Sequence, residues 1–274
     1  MTTITTDDGT ELYVNDWGHG RPVVLIHGWP LDADMWSGQA SFLALHGFRV
    51  IAYDRRGFGR SSQPWDGYTY DTLADDLAAI IDQLALSDVT LVGFSMGGGE
   101  VARYLSRHGS GKVAKAVLVS AVTPYLLKTS DNPTGVDQGV FDKILAGIEE
   151  DRPHFFAGFG ADFYGNSLLR KRVSAEMLQW MLQIAMMASH RATIECAKAF
   201  AMTDFRPDMA AFTMPTLIIH GTADATVPID SSGRVAARMI AGSKLIEYDD
   251  EPHGLNVTAK DRLNADLLAF IGAA

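Results

Sequence analysis

The sequence contains one cysteine, Cys196, among 274 residues. A single thiol closes no intramolecular disulfide, so the fold does not depend on an oxidising compartment. Long apolar runs are missing too: none approaches the roughly 20 residues that a membrane-spanning helix needs. The start, Met1-Thr2-Thr3-Ile4, leads into polar, strand-like sequence without the pattern of a secretory signal. Basic charge is scarce: 23 Lys and Arg stand against 33 Asp and Glu, a formal net charge of −10. With no basic cluster, neither nucleic acid nor an anionic membrane is an expected partner. No low-complexity tract, internal repeat or long linker interrupts the chain, and no clustered His or Cys spacing suggests a metal site. These absences point to a soluble cytoplasmic protein, with export of a disulfide-free chain as the alternative.

What remains is an ordinary globular composition, 47% hydrophobic and 20% charged, long enough for one large domain or two small ones. Residues 4–15 alternate around Asp7-Asp8-Gly9 and predict an antiparallel hairpin. Continuous apolar runs at 22–26, 49–53, 89–92, 113–120 and 216–220 predict strands covered on both faces, and 245–248 predicts the last strand. Helical spacing recurs at 36–45, at 69–84 with Leu73, Leu77, Ile80, Ile81 and Leu84 on one face, from the turn after 92 to about 108, near 231–239 and at 261–271. This alternation predicts an α/β fold: a mostly parallel sheet with helices on both faces and a site beyond the carboxyl ends of its strands. The alternation breaks at 122–205, where helical stretches such as 173–187 appear without a convincing strand. That segment is expected to be a helical cap, inserted in a core made of 1–121 and 206–274. The alternative is a set of core helices at the sheet edge.

Gly93-Phe94-Ser95-Met96-Gly97 is the most telling stretch, because a strand pattern precedes it and a helix pattern follows. In that setting G-x-S-x-G predicts a nucleophile elbow, a tight turn that aims the serine hydroxyl into a cleft. Serine needs a base, imidazole suits that role near neutral pH, and an acid must hold the imidazole tautomer. Asp224 and His253 each follow a predicted strand, which gives the chain order Ser95, Asp224, His253. His27 and His220 each precede a turn glycine and are expected to brace loops. His19, His46, His108, His154 and His190 are expected at the surface or in the cap. Asp249 and Asp250 stand too near His253 in sequence to serve its ring, and Asp54 is expected to be structural.

The order Ser, Asp, His matches the α/β-hydrolases. Asp54-Arg55-Arg56-Gly57-Phe58-Gly59-Arg60-Ser61 is similar to that family's motif after the second parallel strand, and His27-Gly28-Trp29-Pro30 to its oxyanion loop. The sequence most closely resembles the cofactor-free haloperoxidase (perhydrolase) and arylesterase branch. The resemblance implies an eight-stranded α/β-hydrolase fold and no metal or organic cofactor. It implies an oxyanion hole made by the backbone N–H groups of Met96 and Trp29, and a homo-oligomer, trimer or hexamer. It further implies hydrolysis of aryl or short-acyl esters and lactones through an acyl-enzyme, with hydrogen peroxide as a possible second acceptor forming peracids. Lactam cleavage, or carbon–carbon bond hydrolysis with the same triad, is the enzymatic alternative; a non-catalytic ligand receptor is the alternative of another class. Candidate pocket walls are Trp29, Pro30, Phe94, Met96, Val122, Phe159, Phe163, Phe200 and Val227. Pro30, which fixes φ and has no N–H, is expected to orient the Trp29 carbonyl towards an incoming peroxide.

Overall fold

The computed structural model describes residues 2–273. Its first two strands, β1 (Thr2–Thr5) and β2 (Glu11–Gly18), form the antiparallel hairpin. Next come β3 (Arg21–Ile26), α1 (Ser37–Leu45), β4 (Phe48–Tyr53), α2 (Tyr70–Gln83), β5 (Val89–Phe94), α3 (Met96–His108) and β6 (Val113–Val119). Three helices follow, α4 (Gln138–Phe163), α5 (Ala175–Met187) and α6 (His190–Met202). The chain then returns to the sheet as β7 (Thr216–Gly221), α7 (Gly233–Met239), β8 (Lys244–Tyr248), α8 (Leu255–Thr258) and α9 (Lys260–Gly272). The eight strands lie in the order β1-β2-β4-β3-β5-β6-β7-β8, parallel from β4 to β8.

Strand alternation sorts the apolar runs onto two faces. Val24 and Ile26 of β3 pack with Leu73, Leu77, Ile80 and Ile81 of α2 and Val101 of α3. Val23 and Leu25 point the other way, towards Leu43 of α1 and Leu263, Leu267 and Ile271 of α9. Each such side chain taken from water contributes about 1.5–3 kcal/mol. Both faces being covered is why these strands read as continuous apolar runs. Local signals set the helix ends: Thr69 caps α2 by accepting from the Thr72 N–H at 3.3 Å, and Ser174 caps α5 through the Met177 N–H at 3.1 Å.

The helix α4 is two helices in one. Asp151 leaves helical geometry (φ −154°, ψ 86°), and its Oδ1 accepts from the His154 N–H at 3.0 Å. It therefore acts as a fresh N-cap, with Pro153 in the first turn behind it, where a missing N–H costs nothing. Among the described residues no helix is long and apolar enough to cross a membrane.

Candidate active site

Residues 27–30, Asp54, Ser95, Asp224 and His253 all follow strands at the carboxyl edge of the parallel sheet. Ser95 joins β5 to α3 with φ +53° and ψ −118°. Such a backbone costs a non-glycine residue on the order of 1–3 kcal/mol and persists only where neighbours hold it. The Ser95 N–H donates to Val119 O at 2.9 Å, and its carbonyl accepts from the N–H groups of Gly98 and Val122 at 3.0 and 3.1 Å. The flanking glycines have a packing cause. A Cβ at Gly93 would stand 2.5 Å from Gly97 O, and one at Gly97 would stand 2.5 Å from Ile26 O.

The three scattered residues meet. Ser95 Oγ lies 2.9 Å from His253 Nε2, and His253 Nδ1 lies 2.7 Å from Asp224 Oδ2. The carboxylate keeps the ring proton on Nδ1, so Nε2 is left to accept from the serine hydroxyl. Burial opposes ionisation of Asp224, but the His253 charge and bonds from His220 and His253 outweigh it and hold the carboxyl well below its ordinary range. Phe94 and Phe163 pack on the His253 ring, with centroids 5.0 and 4.9 Å away. Asp249 and Asp250 sit on the exposed turn before it, Asp249 3.4 Å from Thr222 Oγ1 and Asp250 paired with Arg170 and Arg172. His19, His46, His108, His154 and His190 are exposed.

Among the described residues, neither the Met96 nor the Trp29 N–H has a protein acceptor. Met96 is the first residue of α3, where helix geometry leaves N–H groups free and slightly positive. The Trp29–Pro30 peptide is cis. The Trp29 indole donates to Thr193 O at 2.9 Å and meets Phe156, Phe159 and Phe200, each 5.4 Å away. Below this loop lies a buried polar network. The Arg55 N–H donates to His27 Nε2 at 2.9 Å, and Arg55 Nη2 donates to His27 O at 2.7 Å. The Arg55 guanidinium also pairs with Glu100 of α3, whose second oxygen accepts from Tyr53 OH at 2.7 Å. Burial, followed by the Arg55 charge, holds the His27 imidazole well below its ordinary range, so it stays neutral. His27 thus braces a loop, and Asp54 does likewise, accepting from Ala33 N–H and from Arg60.

A chamber of about 40 Å³ opens at Ser95. Trp29, Val122, Phe159, Phe200 and Val227 line it as the sequence suggests. Pro30 is buried but outside its lining, as are Phe94, Phe163 and Met96. Sequence reasoning missed Leu126, Val136, Val140, Phe141, Ile144 and Thr226. The Val140, Phe141 and Ile144 spacing is helical and could have marked this wall. Val140, Ile144, Phe159 and Thr226 also line an open groove of about 650 Å³ on the outer side. An open depression of about 680 Å³ beside α2, α3 and α6 does not include Ser95, and its Arg103, Arg191 and Lys198 are paired with acids.

A sequence profile of the alpha/beta hydrolase fold matches residues 21–259. The chain belongs to the α/β-hydrolase family. Among full-length relatives of this α/β-hydrolase is a non-heme chloroperoxidase of Streptomyces lividans, 45% identical over 99% of both chains. Another is a bifunctional esterase/perhydrolase of Acinetobacter calcoaceticus, 42% identical over 98% of both. The crystal structure of a bromoperoxidase from Bacillus anthracis superposes with a TM-score of 0.96, at 45% identity and 99% coverage of each chain. The branch is therefore that of the haloperoxidases and perhydrolases.

Proposed function

We propose that the chain is a serine hydrolase of small carboxylic esters that also transfers its acyl group to hydrogen peroxide. The line from Ser95 Oγ through His253 to Asp224, ending on a small apolar chamber, is the observation that carries this reading. In the forward half, His253 Nε2 takes the Ser95 proton as Oγ attacks the ester carbonyl. The Met96 and Trp29 N–H groups receive the developing oxyanion, each worth about 2.7–4 kcal/mol of transition-state stabilisation. The imidazolium returns its proton to the leaving alkoxide, and alcohol departs from an acyl-enzyme. Water or hydrogen peroxide then attacks, passing its proton to His253, and Ser95 leaves with that proton. Water yields the carboxylic acid and peroxide yields the peracid. Halide oxidation follows in solution: the peracid gives one oxygen to halide, which with a proton forms hypohalous acid, and the carboxylic acid is restored.

Residues 122–205 serve in this reading as a cap over a core of 1–121 and 206–274, since α4 to α6 interrupt the sheet between β6 and β7 and α4 and α6 supply chamber walls. Assembly as a trimer or hexamer goes with the resemblance and is tested by sedimentation velocity. A reducing cytoplasm suits the one cysteine, a buried free thiol.

The deciding experiment profiles acyl donors, with water and peroxide competing for the acyl-enzyme. Turnover of short aryl esters, peracid formation and loss of both in Ser95→Ala are expected. An ester-inactive wild type points to a receptor, and activity surviving Ser95→Ala sinks the triad. Pro30→Leu tests the acceptor choice: an unchanged ratio of perhydrolysis to hydrolysis removes Pro30 from it.

A further inference from the structure

A second buried imidazole touches Asp224. His220, in β7, is fully buried. Its Nε2 lies 2.9 Å from Val227 O and 3.3 Å from Asp224 Oδ2. Both neighbours are acceptors, so Nε2 carries the proton. Nδ1 is buried and has no hydrogen-bond partner among the described residues. It faces the backbone of Gly233, where a Cβ would stand 2.8 Å away. A proton on Nδ1 would bury an N–H with no acceptor, which is costly. The tautomer with its proton on Nε2 is therefore the one the site holds.

We propose that His220 is a positioning residue for the acid: its Nε2–H, held on Val227 O beside Asp224 Oδ2, fixes the orientation of Asp224 and limits its basicity towards His253. This rests on the assignment of Asp224 as the acid. The carboxylate has three hydrogen-bond donors, and the His220 N–H, which donates to Val227 O, stands beside its Oδ2. Thr226 and Val227 N–H groups donate to Oδ1 at 2.9 and 2.7 Å, and His253 and His220 approach Oδ2. A carboxylate offers about four lone-pair sites, and with three of them taken and the His220 ring beside the fourth this one has little room for a proton. Val227 closes the arrangement, because its N–H holds Asp224 while its carbonyl holds His220. Its side chain, with Thr226, lines the chamber at Ser95. One ring thus ties the acid to the substrate wall.

Two acids face His220. One is Asp224, and the other is Glu247, its register partner on β8, which pairs with Arg234 at 2.6 Å. Asp224 and Ser95 meet the nitrogens of His253, and Phe94 and Phe163 cover its ring. Removing the His220 donor makes the carboxylate more basic. The carboxylate then holds the His253 imidazolium more tightly, so the base stays protonated to higher pH.

The test compares His220→Leu, which removes the donor, with His220→Gln, whose Nε2–H can reach the same place, in the intact enzyme with a short aryl ester. For His220→Leu, kcat is expected to fall about tenfold with KM changed less than about twofold. The acid limb of the kcat/KM profile should rise by about half a pH unit, and His220→Gln should recover most of both. An unmoved limb, or a Gln variant as impaired as Leu, overturns the proposal. Asp224→Asn runs alongside. If it retains full activity, the assignment of the acid fails rather than the role of His220. If the Leu variant does not fold, nitrogen NMR of 15N-histidine-labelled wild type decides, with the Gln variant giving the assignment. A ring held in the Nε2–H tautomer supports the proposal, and an Nδ1–H tautomer overturns it.

Discussion

Glu100→Gln exposes how the loop of residues 27–30 is supported. Glu100 and Arg55 are 0% and 1% exposed, so their pairing has no water to replace it. Burial pushes the Glu100 carboxyl up, and the Arg55 charge and the Tyr53 and Arg55 hydrogen bonds oppose that push. Glutamine keeps one acceptor oxygen but turns an NH₂ towards a site that held a second one. The guanidinium then keeps its bond to His27 O but loses its counter-charge. Breaking a buried pair from one side costs about 3–5 kcal/mol. Unfolding entropy of about 2.1 cal/mol/K per residue gives a chain of this length roughly 0.6 kcal/mol/K, so Tm should fall by about 5–9 °C. Calorimetry, with urea melts followed by tryptophan fluorescence, measures it. A control replaces both partners, Arg55→Met with Glu100→Leu. Removing both charges should be less harmful than removing one, with coupling of at least about 1 kcal/mol. A Tm loss under about 2 °C in Glu100→Gln, or a double variant showing simple addition, would refute this account of the loop's support.

Three further outcomes follow from the same geometry. Burial, followed by the Asp54 charge, raises Asp32 to about 7, above its value of about 3.9 in an unfolded chain. The native state therefore binds the extra proton between those values, and this group's contribution to stability falls as pH rises through that window. Asp32→Asn keeps an acceptor for the Asp34 N–H and loses the slope, so its stability advantage over wild type should grow by about 2–3 kcal/mol between pH 5 and 8. Urea melts at several pH values check this, and a constant difference refutes it. Ile144→Ala opens the wall between chamber and groove, and should raise kcat/KM for a hexanoyl ester over an acetyl ester by about tenfold, read from an acyl-length series. Trp29→Phe removes the indole bond to Thr193 O and should lower Tm by about 1–3 °C.

The sheet was legible because burial on both faces writes itself as unbroken apolar runs. Residues 22–26 and 216–220 are clear even without periodicity, and β3 and β7 correspond to them. The elbow was legible because two backbone approaches near 2.5 Å leave room only for glycine at 93 and 97. The chamber was less so. Its α4 wall is obscured by Gly139, Gly147, Gly158, Gly160 and Pro153, which weaken a helical pattern, and Asp151 resets the helical phase midway. Phe94 and Phe163 show a different limit. Composition marks them as aromatic neighbours of the site, but only strand alternation in three dimensions turns Phe94 away from the chamber and onto His253. The place of His220 against Asp224 left no sequence signal beyond its position four residues before the acid.

The break at Asp151 sets most of the helix's chamber wall apart from the side chain that backs His253. Val140, Phe141 and Ile144 stand before it and line the chamber, whereas Phe163 stands after it, against the imidazole, with Phe159 as the chamber residue on that side. Because the first piece has its own phase, a lineage can exchange those three side chains and reshape the chamber while Phe163 and the His253 ring it covers stay put. Substrate preference among descendants of this chain should therefore diverge fastest over residues 138–150, with Phe163 changing slowly.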